Sequence, residues 1–167
     1  YGKTRGIENI GWGRIKMRRI FIDADKCDGC KNCSVACMDA HRSDGLSDIY
    51  TLCLTDPASE RRNFILRTPD GKYKPIFCRH CDEPMCAGSC MSGALQKDPE
   101  TGLVLYDETK CGACFMCVMN CPFGLPKPDR VSRTKVIKCD FCTNKDGEPS
   151  CVKACPKKAI WVEEAEQ

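Results

Sequence analysis

Cysteine constrains the fold of this chain more than any other residue type does. Seventeen of the 167 residues are cysteine, and sixteen of them form four groups of four. The groups are Cys27, Cys30, Cys33 and Cys37; Cys78, Cys81, Cys86 and Cys90; Cys111, Cys114, Cys117 and Cys121; and Cys139, Cys142, Cys151 and Cys155. The first and third have the spacing C-x2-C-x2-C-x3-C, and the other two lengthen only the middle gap. With so many thiols at fixed spacing, the chain must fold around whatever those thiols bind.

Disulfide bonds are one alternative, because a cysteine content of about a tenth is typical of secreted disulfide scaffolds as well as of metal proteins. The chain is longer than most disulfide scaffolds, and no secretory segment is visible in it. An odd number of cysteines would also leave a free thiol, which does not suit an oxidising compartment. We therefore interpret the groups as metal ligands and expect a cytoplasmic protein.

Zinc is the second alternative, since paired C-x2-C units can form four-cysteine zinc sites. Such a site usually takes two pairs that a longer stretch separates. Here three cysteines follow one another along a short loop, which suits the corners of one cubane and would crowd a tetrahedral ion. The spacing is that of bacterial [4Fe–4S] proteins. The sequence therefore predicts four [4Fe–4S] clusters, with all sixteen grouped cysteines as ligands.

The charge pattern argues against a nucleic-acid partner. The formal net charge of +3 becomes about −5 once sixteen thiolates and four oxidised clusters are counted. The lysines and arginines are dispersed, and no basic block is interleaved with stacking aromatic residues. No stretch approaches the roughly 20 apolar residues that span a bilayer. We expect a protein without a membrane span.

An internal repeat organises the chain. A short β-like run precedes each cysteine group, and a further run follows the second and fourth groups. The runs are 19–23, 73–77, 103–106 and 134–138 before the groups, and 94–95 and 159–162 after them. The last two cysteines of each group are spaced i, i+4, which suits one helical turn. The repeat unit is therefore strand, cluster loop, short helix and strand.

Nearly the whole chain, from about Arg18 to Val162, carries motifs of a known family. They are CDGCKNCSVAC, CRHCDEPMCAGSC, GALQKDPETGLVLYDETKCGACFMCVMNC with the following PFG, and KCDFC. In order and spacing the chain resembles the four-cluster iron–sulfur subunits of the dimethyl-sulfoxide-reductase family. It is also similar to the relatives that serve carbon monoxide dehydrogenases, hydrogenases and tungsten aldehyde oxidoreductases. The resemblance implies an α+β fold of two pseudo-symmetric, bacterial ferredoxin-like units around four clusters.

The resemblance also implies which cysteines share a cluster, because it pairs group one with group four and group two with group three. The four ligand sets would be Cys27, Cys30, Cys33 and Cys155; Cys37, Cys139, Cys142 and Cys151; Cys78, Cys81, Cys86 and Cys121; and Cys90, Cys111, Cys114 and Cys117. The spacing alone requires only that the fourth cysteine of a run reach a neighbouring cluster. Pairing of consecutive groups, one with two and three with four, therefore stays open.

This pairing implies a division of the chain. Residues 17–50 together with 131–164 would form one ferredoxin-like unit, and residues 72–130 the other. Residues 51–71 would be an insertion with a hairpin. Residues 1–16, which contain four glycines and no cysteine, would be an N-terminal arm or tail.

A chain of this kind is expected to transfer electrons and not to catalyse, since four thiolates per cluster leave no iron open to substrate. The resemblance implies a catalytic oxidoreductase partner: a molybdopterin or tungstopterin aldehyde or formate enzyme, a carbon monoxide dehydrogenase or a hydrogenase. A flavoprotein or ferredoxin would be the second partner. The alternative is a free-standing soluble polyferredoxin.

Two residues outside the ligand sets also carry predictions. Cys53 lies between apolar neighbours, which predicts a small buried hydrophobic residue. His80 lies inside the second group, and we expect its N–H to lie near a cluster without ligating it.

Overall fold

The computed structural model of the protein describes residues 17–46, 48–143 and 148–165. The predicted N-terminal arm over residues 1–16 lies outside these ranges. The strands are β1 (Met17–Ile22), β2 (Phe64–Arg67), β3 (Tyr73–Ile76), β4 (Leu95–Lys97), β5 (Val104–Tyr106), β6 (Lys127–Pro128), β7 (Val136–Ile137) and β8 (Ile160–Ala165). The helices are α1 (Asn32–Ala40), α2 (Met85–Gly88), α3 (Met116–Asn120) and α4 (Ser150–Lys153). These short elements confirm the predicted α+β class.

The strands pair only as antiparallel couples in the part of the chain that the structure describes. β2 pairs with β3, β4 with β5, and β6 with β7, while β1 pairs with the distant β8. The last pair runs from Met17 opposite Ala165 to Ile22 opposite Ile160. Ile20 and Ile160 bury their side chains from these two strands in the larger apolar core. The two ends of the repeat region are therefore joined in one ribbon.

The predicted repeat is confirmed element by element. β1, β3, β5 and β7 precede the four cysteine groups, and β4 and β8 follow the second and fourth groups. The hairpin expected in the insertion is formed by β2 and β3. Its turn closes with Thr68 N–H donating to the carbonyl of Lys72 at 2.8 Å, and Gly71 there has a φ of 84°. That left-handed conformation is the reason for glycine at this position.

The helices are shorter than the i, i+4 spacing suggests. α1 contains both Cys33 and Cys37, but the other three helices end before the fourth cysteine of their group. Cys121 and Cys155 each precede a proline, which disfavours the helical conformation at the residue before it. α1 packs against α4, and α2 packs against α3. The helices of groups one and four therefore lie together, as do those of groups two and three.

Two apolar cores form inside the described part of the protein, and both include cysteine. The larger one contains Cys33 and Cys151, and the smaller one contains Cys117 beside Leu95 and Val104. Residues that are positioned to hold metal are thus part of the packing of the protein.

Candidate metal centres

The residue just before the second cysteine has a left-handed backbone in all four groups. Its φ is 74° at Gly29, 43° at His80, 51° at Ala113 and 60° at Phe141. Only the first of these is glycine, and other residues adopt this conformation at a cost. A strained turn that recurs four times at one position of the motif indicates a loop shaped to bind the same kind of group. This geometry, together with four thiols per set, fits a [4Fe–4S] cluster.

The first set of thiols surrounds one cavity. Cys27, Cys30, Cys33 and Cys155 all line it. The pKa of Cys33 is raised to about 11, first by burial and then by the charge of neighbours that include Cys30 and Cys155. Because cluster ligands are thiolates, bound iron would have to displace that proton. These four cysteines, from the two ends of the repeat region, are together.

The second set centres on Cys151. Burial raises its pKa most, followed by the charges of Cys139, Cys37 and Cys142 in that order, with Cys33 of the first set last. The sulfur of Cys37 accepts a hydrogen bond from the Arg62 N–H at 3.4 Å. Three thiols of this set are therefore the main electrostatic neighbours of the fourth.

In the third set, Cys86 has electrostatic neighbours from both the second and the third cysteine groups. Burial is the main cause of the raised pKa of Cys86, and the charges of Cys78 and Cys121 raise it further. Cys81 lies three residues from Cys78 in the same loop. The structure thus brings the loop of the second group to the last cysteine of the third.

The fourth set centres on Cys117. Burial first raises its pKa, to about 11, and the charges of Cys90, Cys86, Cys111 and Cys114 act in the same direction. Four of these five cysteines are the predicted ligand set, and Cys86 belongs to the neighbouring third set. The third and fourth predicted sets are therefore adjacent.

Cys139 of the second predicted set and Cys78 of the third are neighbours, and their meeting point is called the junction below. Burial raises the pKa of Cys139, and the charge of Cys78 is the next largest cause. Arg19 of β1 also forms an ion pair with Asp82, which lies within the second group. The second and third predicted sets therefore face each other at this junction.

Two lysine ammonium groups and His80 surround this junction. The Lys138 ammonium, 4% exposed as a residue, donates to the carbonyls of Val104 at 2.7 Å and Cys139 at 2.8 Å. Lys97 donates to the carbonyls of His80 at 3.0 Å and Cys81 at 2.8 Å. Burial, and after it the charges of Lys138 and Lys97, lowers the pKa of His80 far below its ordinary value. Burial and the two ammonium groups thus disfavour the charged form of the His80 imidazole.

A mixed group of side chains lies beside the second set. His41, Asp140 and Cys142 bring one ligand atom each within 4.8 Å of one another. His41 Nε2 lies 3.1 Å from Asp140, which also pairs with Arg62 at 2.8 Å. Burial lowers the pKa of His41, but the hydrogen bonds to Asp140 and Cys37 outweigh it and raise the pKa to about 10. Because it shares Cys142, we assign this group to the surroundings of the second set.

The prediction for Cys53 is wrong, because its side chain is exposed. Its sulfur lies 3.2 Å from the Thr55 hydroxyl, and that hydrogen bond lowers the pKa of the thiol. The neighbouring Leu54 is 61% exposed, and Leu52 on the other side is only half-buried, so the apolar neighbours that suggested burial do not enclose the thiol. Sequence reasoning also missed Lys138 and Asn63, since a lone lysine or asparagine carries no motif.

No helix within residues 17–46, 48–143 and 148–165 is long and apolar enough to cross a membrane.

Comparisons with known proteins agree with the geometry. The family described as "4Fe-4S dicluster domain" matches residues 69–165. The B subunit of the anaerobic dimethyl sulfoxide reductase of Escherichia coli (strain K12) is 34% identical over 156 residues, covering 84% of this protein and 70% of that subunit. Putative electron transport protein YsaA of the same strain is 32% identical over 151 residues, covering 90% of this protein and 92% of its own length.

Two further proteins are similar over different shares of their length. The beta subunit of the NADH-dependent phenylglyoxylate dehydrogenase of Aromatoleum evansii is 36% identical over 141 residues. The match covers 84% of this protein but only 29% of that subunit. One polypeptide of the benzoyl coenzyme A reductase complex BamBC is 28% identical, with a TM-score of 0.49, covering 92% of this protein and 83% of its own length. The protein belongs to the 4Fe-4S dicluster family, as a non-catalytic electron-transfer subunit of the dimethyl sulfoxide reductase iron–sulfur type that carries four [4Fe–4S] clusters.

Proposed function

We propose that the protein relays single electrons through a linear series of four clusters, between a catalytic oxidoreductase subunit and a flavoprotein or ferredoxin. The proposal rests first on the ligand sets. Cluster I is held by Cys27, Cys30, Cys33 and Cys155; cluster II by Cys37, Cys139, Cys142 and Cys151; cluster III by Cys78, Cys81, Cys86 and Cys121; and cluster IV by Cys90, Cys111, Cys114 and Cys117. The cavity that the first set lines and the thiol neighbours of Cys151, Cys86 and Cys117 support this assignment.

The order of the series follows from the helices. Cys33 and Cys37, which lie on α1, belong to clusters I and II, and four residues of a helix rise only about 6 Å. Cys86 and Cys90, at α2, connect clusters III and IV in the same way. The proximity of Cys139 and Cys78 joins clusters II and III across the junction. The resulting order is I, II, III, IV.

Exposure is the observation that carries the proposal. The exposed cysteines among the four sets are Cys30 of cluster I and Cys114 of cluster IV. Clusters II and III contribute cysteines that are buried or half-buried. A relay needs accessible ends, where partners deliver and accept electrons, and a protected middle. Clusters I and IV are thus the two sites at which electrons enter and leave the protein.

The domain division follows from the same arrangement. Residues 17–50 with 131–164 hold clusters I and II, and residues 72–130 hold clusters III and IV. The packing of α1 on α4 and of α2 on α3 supports these two units, and residues 51–71 form the insertion between them. Iron clusters on sixteen thiolates suit a reducing compartment, which supports a cytoplasmic location.

The catalytic partner is a molybdopterin or tungstopterin oxidoreductase, a carbon monoxide dehydrogenase or a hydrogenase. The first class is supported by the similarity to the B subunit of dimethyl sulfoxide reductase. The similarity over nearly full length to a putative electron transport protein favours a second candidate, a free-standing polyferredoxin.

The test uses the full chain, purified without oxygen from its own host with any bound subunits. We expect about 16 iron atoms per molecule, since each cubane holds four. Electron flow from the catalytic subunit to a ferredoxin should require this protein and should stop when Cys114→Ala removes cluster IV. An iron content near eight, or equal flow without the protein, would overturn the proposal. A monomer that passes electrons between small donors and acceptors as fast as the native preparation would favour the free carrier.

A further inference from the structure

We propose that His80 donates a hydrogen bond from its Nε2–H to a sulfur of the inner cluster pair, II or III, and raises the reduction potential of that cluster. The inference deepens the proposed function and rests on its ligand sets. His80 ligates no iron, and a relay of electrons does not itself require this side chain. Its proposed role is to donate a hydrogen bond and so to set a reduction potential.

The first observation is an unpartnered donor. His80 is 2% exposed, and its Nε2 has no hydrogen-bond partner among the described protein atoms. Its other ring nitrogen, Nδ1, accepts the backbone N–H of Val104 at 3.0 Å. A ring nitrogen that accepts a hydrogen bond carries no proton, so the proton of the imidazole is on the other nitrogen. Nε2 is therefore a buried N–H, which is costly unless something accepts from it.

The second observation is the place of the ring. His80 lies between Cys78 and Cys81 of cluster III, and its ring packs edge-on against Phe141 with centroids 5.6 Å apart. Phe141 lies between Cys139 and Cys142 of cluster II. His80 therefore stands at the junction where the inner clusters face each other. Cluster sulfurs are the acceptors that the proposed function places there.

The third observation is the charge around the ring. Lys138 buries its ammonium group beside His80, the half-buried Lys97 lies there too, and both donate to backbone carbonyls. A buried cation is stable only when negative charge compensates it. Clusters with four thiolates supply that negative charge. The same field would attract the positive end of the His80 N–H.

The residue equivalent to His80 in the other half of the pseudo-symmetric repeat cannot donate such a hydrogen bond. His80 and Phe141 occupy equivalent positions in the second and fourth groups, and both have a left-handed backbone. Phenylalanine has no donor at this position. One inner cluster is thus stabilised in its reduced form by a hydrogen bond that has no symmetric counterpart. His80 therefore contributes to the difference in potential between the inner clusters.

The test is His80→Phe in the full chain loaded with iron, with potentials measured by electron paramagnetic resonance during redox titration. Phe141 shows that phenylalanine accepts this backbone conformation. We expect one cluster to become about tenfold harder to reduce, which is about 59 mV for a one-electron couple. His80→Gln, which keeps an acceptor and a donor, should restore most of the difference. Phe141→Leu alters packing at the same junction without removing a donor, and should not reproduce the shift caused by His80→Phe.

Isotope labelling gives a second measurement. The chain contains only two histidines, so ¹⁵N-histidine in a His41→Gln background labels His80 alone. Pulsed resonance should detect coupling between that nitrogen and one reduced cluster. No shift, an equal shift of all four clusters, or the same shift in Phe141→Leu would overturn the proposal. Failure of the ligand sets would instead appear in the iron content of cysteine variants, so the two failures are distinguishable.

Discussion

The Ser34 hydroxyl donates a hydrogen bond to the side-chain oxygen of Asn63 at 2.7 Å, in a buried contact. The amide of Asn63 donates in turn to the carbonyl of Cys33 at 3.2 Å, and Asn63 is 2% exposed. The insertion is thereby fixed to α1 beside a proposed ligand of cluster I. Its docking is a polar contact that the surrounding protein shields from water.

Replacing Asn63 with leucine should weaken this docking. The change removes the acceptor of the buried Ser34 hydroxyl, at a cost of about 1–3 kcal/mol, and a second hydrogen bond to the Cys33 carbonyl. The rate of cluster loss in urea, followed by visible absorbance, should rise about tenfold, since 1.4 kcal/mol corresponds to a factor of ten. Asn32→Leu, at an exposed position on the first turn of α1, is the control and should lose its clusters at the native rate. Equal rates in the two variants would contradict the prediction.

Gly29 is constrained by a neighbour as well as by its backbone. A Cβ at this position would lie 2.5 Å from the ring of Tyr73, which is closer than real contacts allow. The left-handed backbone alone does not require glycine, because Ala113 has the same conformation in the third group. Gly29→Ala should therefore destabilise cluster I by overpacking, which costs about 1–3 kcal/mol.

The measurement for Gly29→Ala is iron content after mild urea, compared with Gly71→Ala. Gly71 also has a positive φ, but nothing lies within 4 Å of an added Cβ there. Iron should be lost first from Gly29→Ala, and a second change, Tyr73→Ala, should reverse much of that loss. If both glycine variants lose iron alike, backbone strain and not Tyr73 is the cause.

Cys53 should be the one cysteine of the holo-protein that iodoacetamide modifies rapidly. Cys30 and Cys114 are exposed as well, but the proposal makes both iron ligands. The hydrogen bond from Thr55, which lowers the pKa of Cys53, increases its reactive thiolate fraction. Mass spectrometry of anaerobically treated protein should find one modified thiol per molecule, and none in Cys53→Ser. Rapid modification of Cys30 or Cys114 in fully loaded protein would remove that residue from its ligand set.

The sequence and the structure agree where the information is local. Cysteine spacing, β-like runs and Pro/Gly turns predict the repeat, the β2–β3 hairpin and the four short helices, because neighbours along the chain determine each of them. The roles of Asn63, Lys138 and the His80–Phe141 pair depend on which distant groups meet, and no local pattern encodes that. Two flanking leucines predict a buried Cys53, yet this segment leaves Leu54 exposed.

The crossed ligand sets can be tested by counting iron in a double variant. Cys33 and Cys155 line the same cavity, and Cys155 is an electrostatic neighbour of Cys33. If both hold cluster I, then Cys33→Ala with Cys155→Ala removes one cluster and leaves about 12 iron atoms. Pairing of consecutive groups would instead place the two residues on different clusters, and about 8 atoms would remain.

A second double variant is predicted to lose iron in the opposite order under the two pairing schemes. A general loss of stability would lower the iron content of both variants and would not produce this difference. Cys33→Ala with Cys90→Ala removes two clusters under the crossed sets, but only one if consecutive groups pair. We expect the Cys33/Cys155 variant to retain more iron than the Cys33/Cys90 variant, measured on protein loaded without oxygen. The opposite order would exclude the crossed sets. Because cluster I joins residues near both ends of the repeat region, its loss should also loosen the β1–β8 ribbon, seen as faster amide exchange in these two strands.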